Sequence, residues 1–239
     1  MSQPIKIYVS STGPNPWKPV IILEELQIPY ELKLLSFLEL TGEEFKKINP
    51  CGKVPVMHDP NEDVLQWESG AIVLYLIEQY DKEKKLTFDS VKEKALLYHW
   101  LMFQMSGQGP FFGQLSWFNY LHSEVLPSAI SRYTEQAHRV LRILNGALEG
   151  KSWLLGDKCT YADLSFFMWN VILPISLKCE EGESPFDAYP NVKAWHERMA
   201  EREAVKKVLG IRQGMIDSEN LGDDHLPKDL NMDEIRERI

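Results

Sequence analysis

The sequence predicts an α/β unit followed by an all-helical unit. Three observations carry that reading. A strand, a helix and a second strand follow one another at the N-terminus, the βαβ order of a parallel pair. An apolar hairpin that begins at a proline comes next and runs into a closing helix. From Val91 onward the apolar residues recur at helical spacing and read as helix throughout.

Ile5–Ser10 alternates weakly and reads as the first strand. Ser11–Pro16 is a polar turn rich in proline and glycine. Trp17–Leu26 reads as a helix; Pro19 is tolerated in its first turn, where no N–H bond is lost. Gln27-Ile28-Pro29 stops it, and Tyr30–Leu35 is the second strand. Thr41–Ile48 is a short helix ended by Asn49-Pro50. Pro55–His58 and Val64–Gln66 form a hairpin across Asp59–Asp63, and Ala71–Tyr80 closes the unit. That order, βαβ then ββα, is thioredoxin-like.

Asp81–Leu86 is charged and aperiodic, so the first domain is placed at 1–82 and the helical domain at 88–210. In the second, Ala95, Leu96, Trp100, Met102 and Phe103 share one long helix, and Gly107–Pro110 should kink or break it. Ser116–His122 resumes. Leu126–Leu148 follows, with Tyr133, Ala137, Val140, Leu141 and Leu144 on one face. Thr160-Tyr161-Ala162-Asp163 looks like a capping box heading Leu164–Leu177, which is apolar almost all round and belongs at the centre of a bundle. Tyr189-Pro190-Asn191 opens a last helix through Arg202. Residues 211–239 read as an acidic, turn-rich tail with a short helix at Met232–Ile239.

The 239 residues are enough to bury a sizeable core, and 44% hydrophobic with 26% charged residues is the balance of a soluble globular protein. No apolar run is long enough to span a membrane, and the N-terminus lacks a signal-peptide pattern. Cys51, Cys159 and Cys179 are odd in number and scattered, which argues for a reducing, cytoplasmic setting. A net charge of −9 disfavours nucleic acid and anionic membrane as partners. The six histidines show no metal-ligand spacing, so no metal is expected.

Two stretches carry chemistry. Asn49-Pro50-Cys51-Gly52-Lys53-Val54-Pro55 is a turn that runs into a strand. A cis Val54–Pro55 bond would leave the Val54 N–H and C=O free to accept an extended peptide as an added strand. Gln66-Trp67-Glu68-Ser69-Gly70-Ala71-Ile72 ends a strand with a Glu-Ser pair at a helix start. Ser69 suits a helix cap, the free N–H groups of the first turn suit a carboxylate, and Glu68 suits an ammonium. An amino acid carrying both groups fits there.

The order K-V-P then W-E-S-G-A-I, behind a β-turn-helix opening, resembles the glutathione transferase superfamily. Gly13-Pro14-Asn15-Pro16-Trp17-Lys18 and Trp67–Tyr75 look most like the fungal nitrogen-catabolite-regulator branch and its bacterial, nu-class disulfide-reductase relatives. The resemblance covers roughly residues 5–210. It implies the glutathione transferase fold, a homodimer, and glutathione as co-substrate. It implies Asn15 as the catalytic residue facing the glutathione sulfur, in place of the tyrosine or serine of other classes. It sets Ser69 on the γ-glutamyl carboxylate, Glu68 on the ammonium, the Val54 backbone on the cysteinyl residue and Lys53 on the glycyl carboxylate. The activity implied is attack on a hydrophobic electrophile, as in detoxification. Disulfide reduction by glutathione is the alternative within enzymes, and a glutathione-binding regulator with little catalysis is the alternative outside them. Pro16 stands where the branch has glycine and removes a donor near the sulfur; Ser11 or Thr12 is the second choice for that contact. Leu40 or Thr41 stands where many relatives hold His or Gln.

A free thiol has a pKa of about 8.5, and lowering it by two units takes about 2.7 kcal/mol. A helix N-terminus supplies up to about 2, and a hydrogen bond to the anion about 1.5–3. Together they suffice without a general base. The aromatic run from Trp100 to Tyr120 reads first as bundle core; Phe111 and Phe112, near the expected break, are the candidates for an acceptor pocket. Cys51 has no C-x-x-C partner, and Gly146–Ser152 follows a helix, so it reads as a helix end and not a phosphate loop.

Overall fold

Ile5, Ile7 and Val9 point one way and are fully buried, while Lys6 and Tyr8 between them are only partly so; this period of two makes β1 (Ile5–Val9). The computed structural model describes residues 3–219. These divide into two units. One takes the described residues up to Lys85 together with those from Glu203, and the other runs from Leu86 to Arg202.

In the first unit, α1 (Trp17–Glu25) connects β1 to β2 (Tyr30–Leu34), and the two strands pair in parallel as a βαβ crossover requires. Two short helices follow, α2 (Phe37–Thr41) and α3 (Glu43–Ile48). The sequence reading has one helix here, from Thr41. The additional one is started by a capping box: the Glu39 N–H donates to Ser36 Oγ, and the Ser36 N–H donates to Glu39 Oε2. The hairpin of β3 (Val56–Asp59) and β4 (Val64–Trp67) completes a sheet in the order β2-β1-β3-β4. Asp59 is fully buried at its turn and accepts from the Tyr75 and Tyr80 hydroxyls and from Asn61. α4 (Ser69–Tyr80) packs against α1.

The second unit is helical: α5 (Val91–Phe103), α6 (Gly109–Ser116), α7 (Pro127–Ala147), α8 (Tyr161–Ser176) and α9 (Pro190–Ala200). The expected break falls differently in detail. A π-helical turn at Gln104–Gln108 interrupts the α-helix, and α6 restarts at Gly109 with Pro110 in its first turn, where the missing N–H has no partner to lose. A second π-helical turn, Trp117–Leu121, lies where the resumed helix was read. α8 is buried over most of its length and on all sides, as its uniformly apolar sequence requires. Among the described residues, no helix is long and apolar enough to cross a membrane.

The sequence reading ends its last helix at Arg202 and starts a turn-rich tail at 211. The chain instead forms α10 (Glu203–Ser218), in the first unit and packed on α1. Its buried residues Val205, Val208, Arg212 and Ile216 follow one face. The helix read at Met232–Ile239 lies outside the described residues.

Candidate functional site

Strand register brings the sequence candidates of the first unit to one end of the sheet. Val56 stands opposite both Tyr8 of β1 and Trp67 of β4. The end of β1, the start of β3 and the end of β4 are therefore neighbours. The loop of residues 10–16, with Asn15, leaves the first; Val54 enters the second; Glu68 and Ser69 leave the third.

Each stretch is shaped locally. Asn49, 2% exposed, builds the turn before Val54: its Oδ1 accepts from the Cys51 N–H at 3.0 Å and its Nδ2 donates to the Lys53 C=O at 2.6 Å. Gly52 closes that turn at φ +59°, a conformation glycine adopts without strain, and donates to the Asn49 C=O. The Val54–Pro55 bond is cis. Among the described residues the Val54 N–H and C=O make no backbone hydrogen bond, so a short rim of free backbone stands beside the sheet. Lys53 is exposed on it.

At the third stretch the cap differs from the sequence reading. Ser69 is the first helical residue and Glu68 holds the cap position, with no side-chain cap bond. The reason is the backbone of Glu68, at φ 73° and ψ 113°. An L-residue so placed carries about 1–3 kcal/mol of strain, which is tolerated where the surrounding structure imposes it and concentrates at functional sites. The exposed Glu68 side chain is thereby turned away from capping, and the first-turn amides of α4 have no capping side chain. Ser69 is buried beside them.

At the first stretch Asn15 is half-buried and its C=O accepts from the Lys18 N–H at 3.3 Å. Pro14, Pro16 and Pro19 supply no donors, and no side chain caps α1. Among the side chains of residues 13–16, Asn15 carries the amide donor that the sequence reading aimed at a sulfur anion. Ser11, the reserve candidate, is buried and donates its hydroxyl to Glu219; Thr12 gives its C=O to Arg212.

One participant escaped the sequence reading. Lys18 is 1% exposed, a cation in the first turn of α1, where the helix dipole opposes it. Burial pushes its pKa down to about 7, and the Glu68 carboxylate pulls it back up. The signal was present: Lys18 carries the one charge in the apolar run Trp17–Leu23. A buried lysine whose pKa is held down to about 7 and is raised in part by the strained Glu68 is a second mark of a site at this end of the sheet.

Phe111 and Phe112 belong to the second unit. Phe112 is fully buried and lies edge-on to Trp169; Phe111 is partly exposed. Among the described residues no cluster of His, Cys, Asp and Glu could hold a metal ion.

The family description Glutathione S-transferase, N-terminal domain, matches residues 12–79, and Glutathione S-transferase, C-terminal domain, matches residues 110–203. The chain belongs to the glutathione S-transferase family. It is 41% identical over 214 residues to the glutathione S-transferase-like protein tpcF of Aspergillus fumigatus, covering 86% of this chain and 94% of that one. It is 34% identical over 244 residues to protein URE2 of Candida maltosa, with 85% of this chain and 72% of that protein covered. Among solved structures it resembles the glutathione transferase URE2P6 from Phanerochaete chrysosporium in complex with oxidized glutathione. There the TM-score is 0.83 and the identity 39%, covering 88% of this chain and 97% of that one. The resemblance to the fungal regulator-like branch is thus borne out, and so is the fold.

Proposed function

We propose that this glutathione S-transferase family member binds glutathione at this end of the sheet and ionises its thiol for attack on an electrophile. The observation that carries the reading is the register just described, which gathers a free backbone rim, an uncapped helix start with a strained Glu68, and the Asn15 loop. Ser69 and the first-turn amides of α4 take the γ-glutamyl carboxylate, and Glu68 takes the ammonium. The Val54 N–H and C=O pair with the cysteinyl residue as one more strand. Lys53, exposed beside them, meets the glycyl carboxylate and contributes least, as solvated ion pairs do.

Asn15 donates to the sulfur and favours its anion; it is neither acid nor base. The thiol proton leaves to solvent. The thiolate forms a bond to the electrophilic carbon, and the leaving group departs with the bonding pair. A homodimer in the cytoplasm is the assembly proposed. The exposed apolar side chains Leu65 and Trp67 of β4, and Tyr98 and Met102 of α5, are surfaces that a second copy can cover.

Glutathione-dependent disulfide reduction is a second reading, because a similar structure holds oxidized glutathione, itself a disulfide. There the thiolate attacks one sulfur and the other leaves as thiolate. Titration calorimetry with reduced and oxidised glutathione, followed by turnover of an aryl halide and of a mixed disulfide, tests all of this. Uptake with faster aryl-halide turnover is the expected result. Faster disulfide turnover selects the second reading, and uptake without turnover makes the chain a binding protein. No uptake by folded protein overturns the proposal.

A further inference from the structure

The loop of residues 10–16 has few donors of its own and is bonded from outside. Pro14 and Pro16 lack N–H groups, and the Asn15 C=O accepts from the Lys18 N–H at its far end. It is held from outside. The Trp17 indole N–H donates to the Ser11 C=O at 3.3 Å. Two further contacts come from α10 and the residue after it. Arg212 Nη2 donates to the Thr12 C=O at 3.2 Å, and Glu219, just past the helix end, accepts the Ser11 hydroxyl. Both loop residues lie a few positions before Asn15.

Arg212 is an unusual choice for the buried face of a surface helix. It is 7% exposed, and its Nε has no partner among the described residues. A guanidinium stays charged at any physiological pH, so burying it on one carbonyl is unfavourable by itself. A leucine at this position would extend the stripe of Val205, Val208 and Ile216 and serve packing better. Packing therefore does not explain the residue. The α10–α1 contact is secured elsewhere by the Lys207–Glu24 ion pair at 2.7 Å.

We infer that Arg212 and Glu219 are positioning residues for the thiolate site: α10 clamps the Ser11–Thr12 segment so that the Asn15 amide is aimed at the sulfur, and Arg212 adds a fixed positive charge beside it. The inference rests on the transferase reading and extends it to a helix whose second half the sequence assigned to a tail. Burial pushes the Arg212 guanidinium below its usual range, consistent with a cation kept at a local disadvantage.

The full chain is compared with Arg212→Met, Arg212→Lys and Glu219→Ala by amide hydrogen exchange over residues 11–15 and by the pH dependence of turnover at saturating glutathione. Arg212→Met should speed exchange in the loop and make the bound thiol titrate about one pH unit higher, a loss of about tenfold in turnover well below that pKa. Glutathione affinity should stay within about threefold, because Ser69, Glu68 and Val54 are untouched. Arg212→Lys, which keeps the charge, should recover most of the titration. Glu219→Ala, at a partly exposed position, should speed exchange at Ser11 and Thr12 without unfolding. It decides the matter if Arg212→Met does not fold. Folded variants whose loop exchange and thiol titration both match the parent overturn the inference. Absence of glutathione uptake by the parent chain sinks the transferase reading instead, and the exchange arm then still reports whether α10 holds the loop.

Discussion

Two helix starts, one in each unit, are built in opposite ways. At α8 a capping box closes the start. Asp163, fully buried, accepts from the Thr160 N–H at 2.9 Å, the Thr160 hydroxyl at 2.6 Å, the Leu154 N–H at 2.8 Å and the Trp195 indole at 3.0 Å. At α4 the cap residue is strained, no side chain caps the helix, and the nearby cation is buried. The first arrangement closes a core. The second lacks a capping side chain, and on the proposed reading its first-turn amides take a ligand carboxylate at some cost in local stability.

The largest test of that contrast is Asp163→Ala. It leaves four donors without an acceptor in a dry core and should destabilise the second unit by about 3–5 kcal/mol in denaturant unfolding. The ends would be alike if it cost no more than a surface change. Acid gives the next effect. His196 is stacked on Phe167 and lies tilted against Phe186, its Nδ1 has no partner among the described residues, and burial pushes its pKa down to about 4. The unfolded chain takes that proton below about pH 6.5 and the native state does not until about pH 4. Stability is therefore fully present above the upper value and is lost as pH falls through the window, by up to about 3 kcal/mol. Replacing His196 with Phe should flatten that part of a pH–stability curve.

At the open end, substitutions should change function and leave stability nearly intact. Asn15→Ala should lower turnover by about tenfold to a hundredfold, the worth of a hydrogen bond to an anion, with glutathione affinity little changed. Unchanged turnover would return the sulfur contact to Ser11 or Thr12. Ser69→Ala should weaken glutathione binding about tenfold in calorimetry and leave saturated turnover alone. A drop in melting temperature without a change in affinity would show Ser69 to be only a helix-start residue.

Period and punctuation made most of the fold legible. The alternation in β1, the proline before β3, and the Thr160–Asp163 box each have a local physical cause that survives in the folded chain. α10 was hidden for an equally physical reason. Gly210 and Gly214 lower its helix propensity by about 1 kcal/mol each, and Arg212 interrupts the apolar stripe that would have announced it. The site was legible as types and spacing: Asn15, Val54, Glu68 and Ser69 come to one sheet end. Its electrostatics were not, because Lys18 and Glu68 are fifty positions apart and only the pairing of β3 with its neighbours, together with the α1–α4 contact, brings their segments together. The expectation that Ser69 itself is the cap failed on one backbone angle that residue types do not encode.

The central claim is that this end of the sheet makes an anion of a bound thiol. Ultraviolet titration of the thiolate in the glutathione-saturated parent chain measures it directly. Half-ionisation below about pH 7 is the predicted result, and a bound thiol that titrates near about 8.5, like a free one, would contradict the account.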